Sequence, residues 1–203
     1  NRGSAYVEKG DYERAIADLD RAIELDPQDA DAFYYRGWTY FELGDYDRAI
    51  ADYDRAIELD PQDAVAYNNR GLAYHYLGEY DKEIADYDRA IELDPTVAEF
   101  YYNRGRTYED QGDYDLALAD YNRAIELDPQ DADYYYYRGR IYAGRGDNER
   151  AIADLEKALE LLPETPPDAP VVTPAYGPAS SLPPSRPPRH SSIPGLAAAS
   201  RSR

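Results

Sequence analysis

The sequence contains no cysteine and no methionine, which excludes a disulfide framework, a thiolate zinc site and a dithiol redox motif. Histidine is almost missing too. Only His75 and His190 occur, far apart along the chain, so a metal or acid–base centre built on imidazoles has no material. No metal, cofactor or catalytic residue is expected, and the chain is read as not an enzyme. Long apolar runs are also lacking: none approaches the roughly 18 residues that cross a bilayer, and no basic-then-apolar leader opens the chain. Asn1 rather than Met comes first, so a fragment or processed product is expected, soluble and cytoplasmic.

Positive charge is scarce. Lysine is confined to Lys9, Lys82 and Lys157, and the net charge is −19. Residues 163–203 hold four arginines against Glu164 and Asp168, so the first 162 residues carry −21. Such a body repels nucleic acid and anionic membrane, because phosphate binding needs a basic face that releases counterions. The runs Tyr34-Tyr35, Tyr101-Tyr102 and Tyr134-Tyr135-Tyr136-Tyr137 could stack bases, but without a basic groove that reading fails.

What the sequence has in abundance is period. Pro27, Pro61, Pro95, Pro129 and Pro163 recur every 34 residues. Gly3, Gly37, Gly71, Gly105 and Gly139 keep the same step, as do Gly10, Gly44, Gly78, Gly112 and Gly146. A fixed period of this length marks a stacked array of small helical or mixed units. Each unit reads as two helices. In the second, Ala32 to Leu43 contains no proline, and Gly44-Asp45 is a stop followed by a cap. Asp47 to Leu59 then spaces Ile50, Tyr53, Ala56 and Ile57 at three- and four-residue intervals. Pro61 ends that helix and Asp63 is placed to cap the next. A glycine inside every first helix costs roughly 1 kcal/mol relative to alanine, so close helix-to-helix approach is expected there.

An order of aromatic, Gly, Tyr, Gly, Tyr, Ala, aromatic, Ala and Pro within 34 residues resembles the tetratricopeptide repeat. In the second unit these are Phe33, Gly37, Tyr40, Gly44, Tyr46, Ala49, Tyr53, Ala56 and Pro61. The third unit places Glu83 where the family has a small residue, and the fifth places Asn148 where it has tyrosine. The first unit retains Gly3, Tyr6, Gly10, Tyr12, Ala15, Ala22 and Pro27, with the opening of its first helix cut away. The resemblance covers residues 1 to 162 and implies an all-α, right-handed superhelical solenoid of about five helix-turn-helix repeats. Residues 163–203, rich in Pro, Ser and Ala, are expected to be a disordered tail. Within it, Leu182 to Arg189 resembles a polyproline ligand, with a plain linker as the default.

Two departures from the family pattern carry expectations. Glu83 either reaches solvent at the rim or finds a partner such as an arginine, with weaker packing around it. Arg2, Arg36, Arg70, Arg104 and Arg138 precede the first-helix glycines, and Asp18, Asp52, Asp86, Asp120 and Asp154 recur in step. An Arg–Asp ladder between the two helices of each unit is expected; solvated charges kept by recent duplication are the alternative.

Paired carboxylates such as Asp26, Asp29 and Asp31 recur at helix boundaries, where capping explains them. The remaining function lies in surface. The resemblance implies a concave groove lined by first helices, and it assigns positions residue by residue. The second unit supplies Asp31, Tyr34, Tyr35, Trp38, Phe41 and Glu42. The third supplies Val65, Asn68, Asn69, Leu72, His75 and Tyr76. From the fourth come Glu99, Tyr102, Asn103, Arg106, Glu109 and Asp110, and from the fifth Asp133, Tyr136, Tyr137 and Arg140. The expected groove has an aromatic floor, asparagines able to hold a peptide backbone, and an acidic rim. Family members that grip acidic chaperone tails need bases where Glu99 and Asp133 stand, so the implied ligand is a protein or peptide, neutral to basic, with apolar anchors. The alternative is self-association. After the fifth unit comes Pro163-Glu164-Thr165-Pro166, with no capping helix. Either Val171, Val172 and Tyr176 of the tail return over Ile152, Leu155, Leu159 and Leu162, or two chains meet there as a homo-oligomer.

Overall fold

The computed structural model describes residues 12–162, and every regular element among them is an α-helix. The helices are α1 (Tyr12–Leu25), α2 (Ala30–Glu42), α3 (Tyr46–Leu59), α4 (Ala64–Leu77), α5 (Tyr80–Leu93), α6 (Ala98–Gln111), α7 (Tyr114–Leu127), α8 (Ala132–Gly144) and α9 (Asn148–Leu161). The first helix of the first unit, the tail and its polyproline-like segment lie outside the described residues, as do Arg2 and the tail residues expected to cover α9.

Local chemistry sets the boundaries. Asp29, Asp45, Asp63, Asp131 and Asp147 each accept a hydrogen bond from a backbone N–H of the helix they precede, satisfying donors that the helix leaves orphaned. Gly44 adopts φ +75° between α2 and α3, a conformation that costs residues with a Cβ far more. In the turns between units, Asp26, Asp60, Asp94 and Asp128 accept from the backbone N–H two residues on, closing tight loops around the period prolines.

Each helix packs on its neighbours in the chain, and α2 also touches α4 as α4 touches α6. That nearest-neighbour pattern is what a solenoid requires. Second helices bury one stripe, as α3 does with Ala49, Asp52, Tyr53, Ala56 and Ile57. First helices are enclosed on several sides: α4 buries Ala64, Ala66, Asn68, Asn69, Gly71 and Ala73, which span most of its circumference. The expected reason for the mid-helix glycines holds. A Cβ on Gly71 would lie 2.8 Å from the Tyr87 ring, closer than packed atoms approach.

The Arg–Asp ladder is present and is wider than expected. Arg70 grips Asp86 with two bonds of 2.8 and 2.6 Å, and its remaining nitrogen reaches Asp54 of the preceding unit at 2.6 Å. Arg36 does the same with Asp52 and Asp20, and Arg104 with Asp120 and Asp88. Arg138 holds Asp154 and Asn122. Each guanidinium therefore ties its own second helix to the previous one, the bidentate geometry for which arginine is suited. Burial pushes the carboxyls of Asp86 and Asp120 above their ordinary value, although the arginines pull them down.

Candidate functional site

The first-helix residues assigned to a groove divide into two groups. Tyr34, Asn68, Asn69, Tyr102, Asn103 and Tyr137 are buried. They lie beneath the inner face rather than on it, and the three asparagines are already bonded within the chain. Asn103 donates to Asn68 at 3.0 Å, Asn68 donates to Asn69 at 3.2 Å, and Asn69 donates to the Tyr34 hydroxyl at 2.9 Å. This relay joins α6, α4 and α2. A side-chain amide enclosed between helices has to satisfy its donors and acceptors internally, which corrects the expectation that these amides are open to a peptide backbone.

The second group reaches the surface. Tyr35, Trp38, Phe41, Leu72, His75 and Arg106 are half-buried, Arg140 is exposed, and Tyr136 is 45% exposed. At one end Phe41, Tyr46 and Tyr76 form an aromatic cluster. Tyr46 stacks on Tyr76 at 4.6 Å, and Phe41 meets both edge-on at 5.5 Å. Tyr46 was not among the assigned positions, because it opens a second helix. Its signal was the recurrence of Tyr12, Tyr46, Tyr80 and Tyr114 in the period.

The other end is aromatic and charged. Arg106 lies over Tyr102 at 6.0 Å and Tyr137 at 5.3 Å, and has no ion-pair partner among the described residues. Arg140 lies over Tyr136 and Tyr137 and approaches Glu109 at 3.3 Å. Glu109 in turn accepts from the Tyr121 hydroxyl at 2.8 Å. The equivalent hydroxyl of Tyr53 is buried without a partner, because Phe41 stands where the fourth unit has Glu109.

Acidic groups line the start of these helices. Burial, with Asp131 adding to it, pushes the Glu99 carboxyl up to about 7. Burial and then Asp131 raise Asp133 as well. Glu99 has no hydrogen-bond or ion-pair partner among the described residues, so this part of the face carries uncompensated acid demand.

Glu83 differs from both expectations for it. It is 1% exposed, and Thr107 of the next unit donates to its Oε1 while His75 Nδ1 lies 3.1 Å from the same oxygen. Oε2 has no partner. The carboxylate points into the junction of α4, α5 and α6 instead of toward solvent or an arginine, since its Cα occupies the alanine position that faces the first helices. His75, assigned to the open groove, is drawn into this contact. Among the described residues no group of three or more His, Asp or Glu is placed to hold a metal ion.

A family model described as tetratricopeptide repeat matches residues 1–64, 36–98 and 102–169. Among solved structures, a crystal structure of MamA is 30% identical, covers 79% of this chain and 94% of its own, and superposes with a TM-score of 0.73. YrrB, described as a tetratricopeptide protein with an unusual peptide-binding site, is 27% identical over 80% of this chain and 84% of its own, with a TM-score of 0.65. MamA from Desulfovibrio magneticus RS-1, at 23% identity over 79% of this chain and 91% of its own, shares the fold with a TM-score of 0.72. No curated protein matches the sequence.

Proposed function

The chain belongs to the tetratricopeptide repeat family, a right-handed helical solenoid of protein-interaction scaffolds, and from that premise we propose that its inner face binds an extended or helical peptide of a partner protein. The ligand is neutral to basic and carries apolar anchors. The observation that supports this reading is the failure of the inner face to repeat. Where the seam between helices is the same in each unit, the inner positions change from Trp38 to Leu72, Arg106 and Arg140. A face kept only for packing would be free to repeat as the seam does.

Half-exposed Trp38 and Phe41 and exposed Tyr136 are anchor types found at interface hot spots. The unpaired acid demand at Glu99 and Asp133 favours a basic group on the ligand. That YrrB is described as having a peptide-binding site supports the same use of the fold. The scaffold works by presenting a preorganised surface, and no step of bond chemistry enters.

The test is capture of partners from source lysate by the wild-type chain and by a Trp38→Ala, Arg106→Ala, Tyr136→Ala variant. Tyr34, whose side chain is buried, is left intact so that the fold survives. Partners held by the wild type and weakened at least about tenfold by the variant, at unchanged helicity, establish the inner face as the site. Identical partner sets from both proteins remove it.

A further inference from the structure

Every second helix inside the array is covered by the first helix of the next unit. On α7, Leu118 and Ile125 pack against the core cluster that contains Tyr134, Tyr137 and Ile141 of α8. Between them Asn122 accepts a 2.6 Å bond from Arg138. Asp20, Asp54 and Asp88 take the same part on α1, α3 and α5, receiving Arg36, Arg70 and Arg104. The interface between units is thus one motif used four times: an apolar pair with an acceptor between them, met by an arginine.

The last helix, α9, carries the same motif uncovered. Ile152 and Leu159 stand in register with Leu118 and Ile125, yet they are 57% and 69% exposed. Glu156 stands in register with Asp20, Asp54, Asp88 and Asn122. It is exposed and has no hydrogen-bond or ion-pair partner among the described residues. The chain does not repeat the covering sequence, since positions 172 and 173, where an Arg-Gly pair would fall, hold Val172 and Thr173.

We propose that the open face of α9 docks the opening unit of a second copy of this chain, head to tail, so that arrays continue one another. The opening unit carries Arg2-Gly3 in the register of Arg36-Gly37, which supplies the cation that Glu156 lacks. The contact extends an interface that the molecule already builds four times inside itself. A face-to-face pairing of two α9 helices is disfavoured. Ile152, Glu156 and Leu159 share one helical face at four- and three-residue spacing, so such a pair would bring two carboxylates together within its apolar strip. Head-to-tail contact is heterologous and does not close after two copies. It is independent of ligand binding on the inner face.

The test is sedimentation of the full chain over a wide range of concentration. The expected result is an average mass that climbs with concentration and passes twice the chain mass. Ile152→Glu with Leu159→Glu returns it to one chain at unchanged helicity, since both side chains are exposed in the single array. Glu156→Arg removes no apolar area but sets like charges together, and weakens association at least about tenfold. A single-chain mass at every concentration overturns the proposal. So does a mass that levels at twice the chain, and so does a climb that the Ile152 and Leu159 changes leave untouched.

Discussion

Along the seam between first and second helices, Arg36, Arg70 and Arg104 each make the same three bonds to aspartates, at distances between 2.6 and 2.8 Å. On the inner side of those same helices no two units agree. One offers Trp38 beside Tyr35, the next Leu72 over two buried asparagines, the next Arg106 between Tyr102 and Tyr137. The seam meets one physical demand, the joining of three helices around a single guanidinium, and the same residues answer it each time. The inner face meets no common demand beyond burial of its lower half, so its upper half is available for recognition.

Breaking one rung of the seam should have the largest effect. Arg70→Ala strands Asp86, which is 7% exposed, and should lower stability by about 3–5 kcal/mol, whereas Arg70→Met with Asp86→Leu should cost far less. Denaturant midpoints of the two variants measure the difference. Equal costs would show that the ladder is only two solvated charges.

Glu83 is the point where the inner side intrudes on the uniform packing. Ala15, Ala49, Ala117 and Ala151 hold its position in the other units, all of them buried. Glu83→Ala makes the third unit match them and removes a buried oxygen without a partner. Thr107 keeps its 3.2 Å bond to the Asn103 carbonyl. The variant should be more stable by about 1–2 kcal/mol, read as a raised Tm; a lowered Tm would mean that the bonds to Thr107 and His75 outweigh the desolvated carboxylate.

The smallest effect sharpens the comparison through pH. The Glu99 carboxyl is pushed from 4.5 to about 7, first by burial and then by Asp131. The folded chain keeps a proton there that the unfolded chain releases across this interval. Stability should therefore fall as pH rises from the ordinary carboxylate range to about 7. Glu99→Gln, neutral at every pH, should flatten part of that fall in thermal scans. Asp63 and Asp133, also raised by burial, should leave the remainder. An unchanged slope would place the titration elsewhere.

Much of the seam could be read from the sequence. Asp45 and Asp63 cap as their positions predict, Gly44 is left-handed, and the mid-helix glycine faces a tyrosine ring. The pairing of Arg36 with Asp52 follows from their common period. Its second partner, Asp20, lies the same 16 residues away on the other side, a symmetry visible in the sequence but not used, because it becomes a contact only when successive units stack. Glu83 went astray for a related reason. Its position was known to face inward, yet the Thr107 hydroxyl that receives it comes from the following unit.

Period, caps, glycines and prolines by themselves determined nine helices among the described residues and their order in the stack, because each of these signals acts within one or two turns of backbone. Which inner residues stay open to a partner was decided only by tertiary structure. A first helix is enclosed by its own second helix, the preceding second helix and its neighbouring first helices, so adjacent residues such as Tyr136 and Tyr137 take opposite fates. Tyr137 packs against Tyr102 and Tyr121, while Tyr136 reaches solvent. The rotation of one unit on the next sets that division, and it arises from packing between units rather than from the pattern within any one of them.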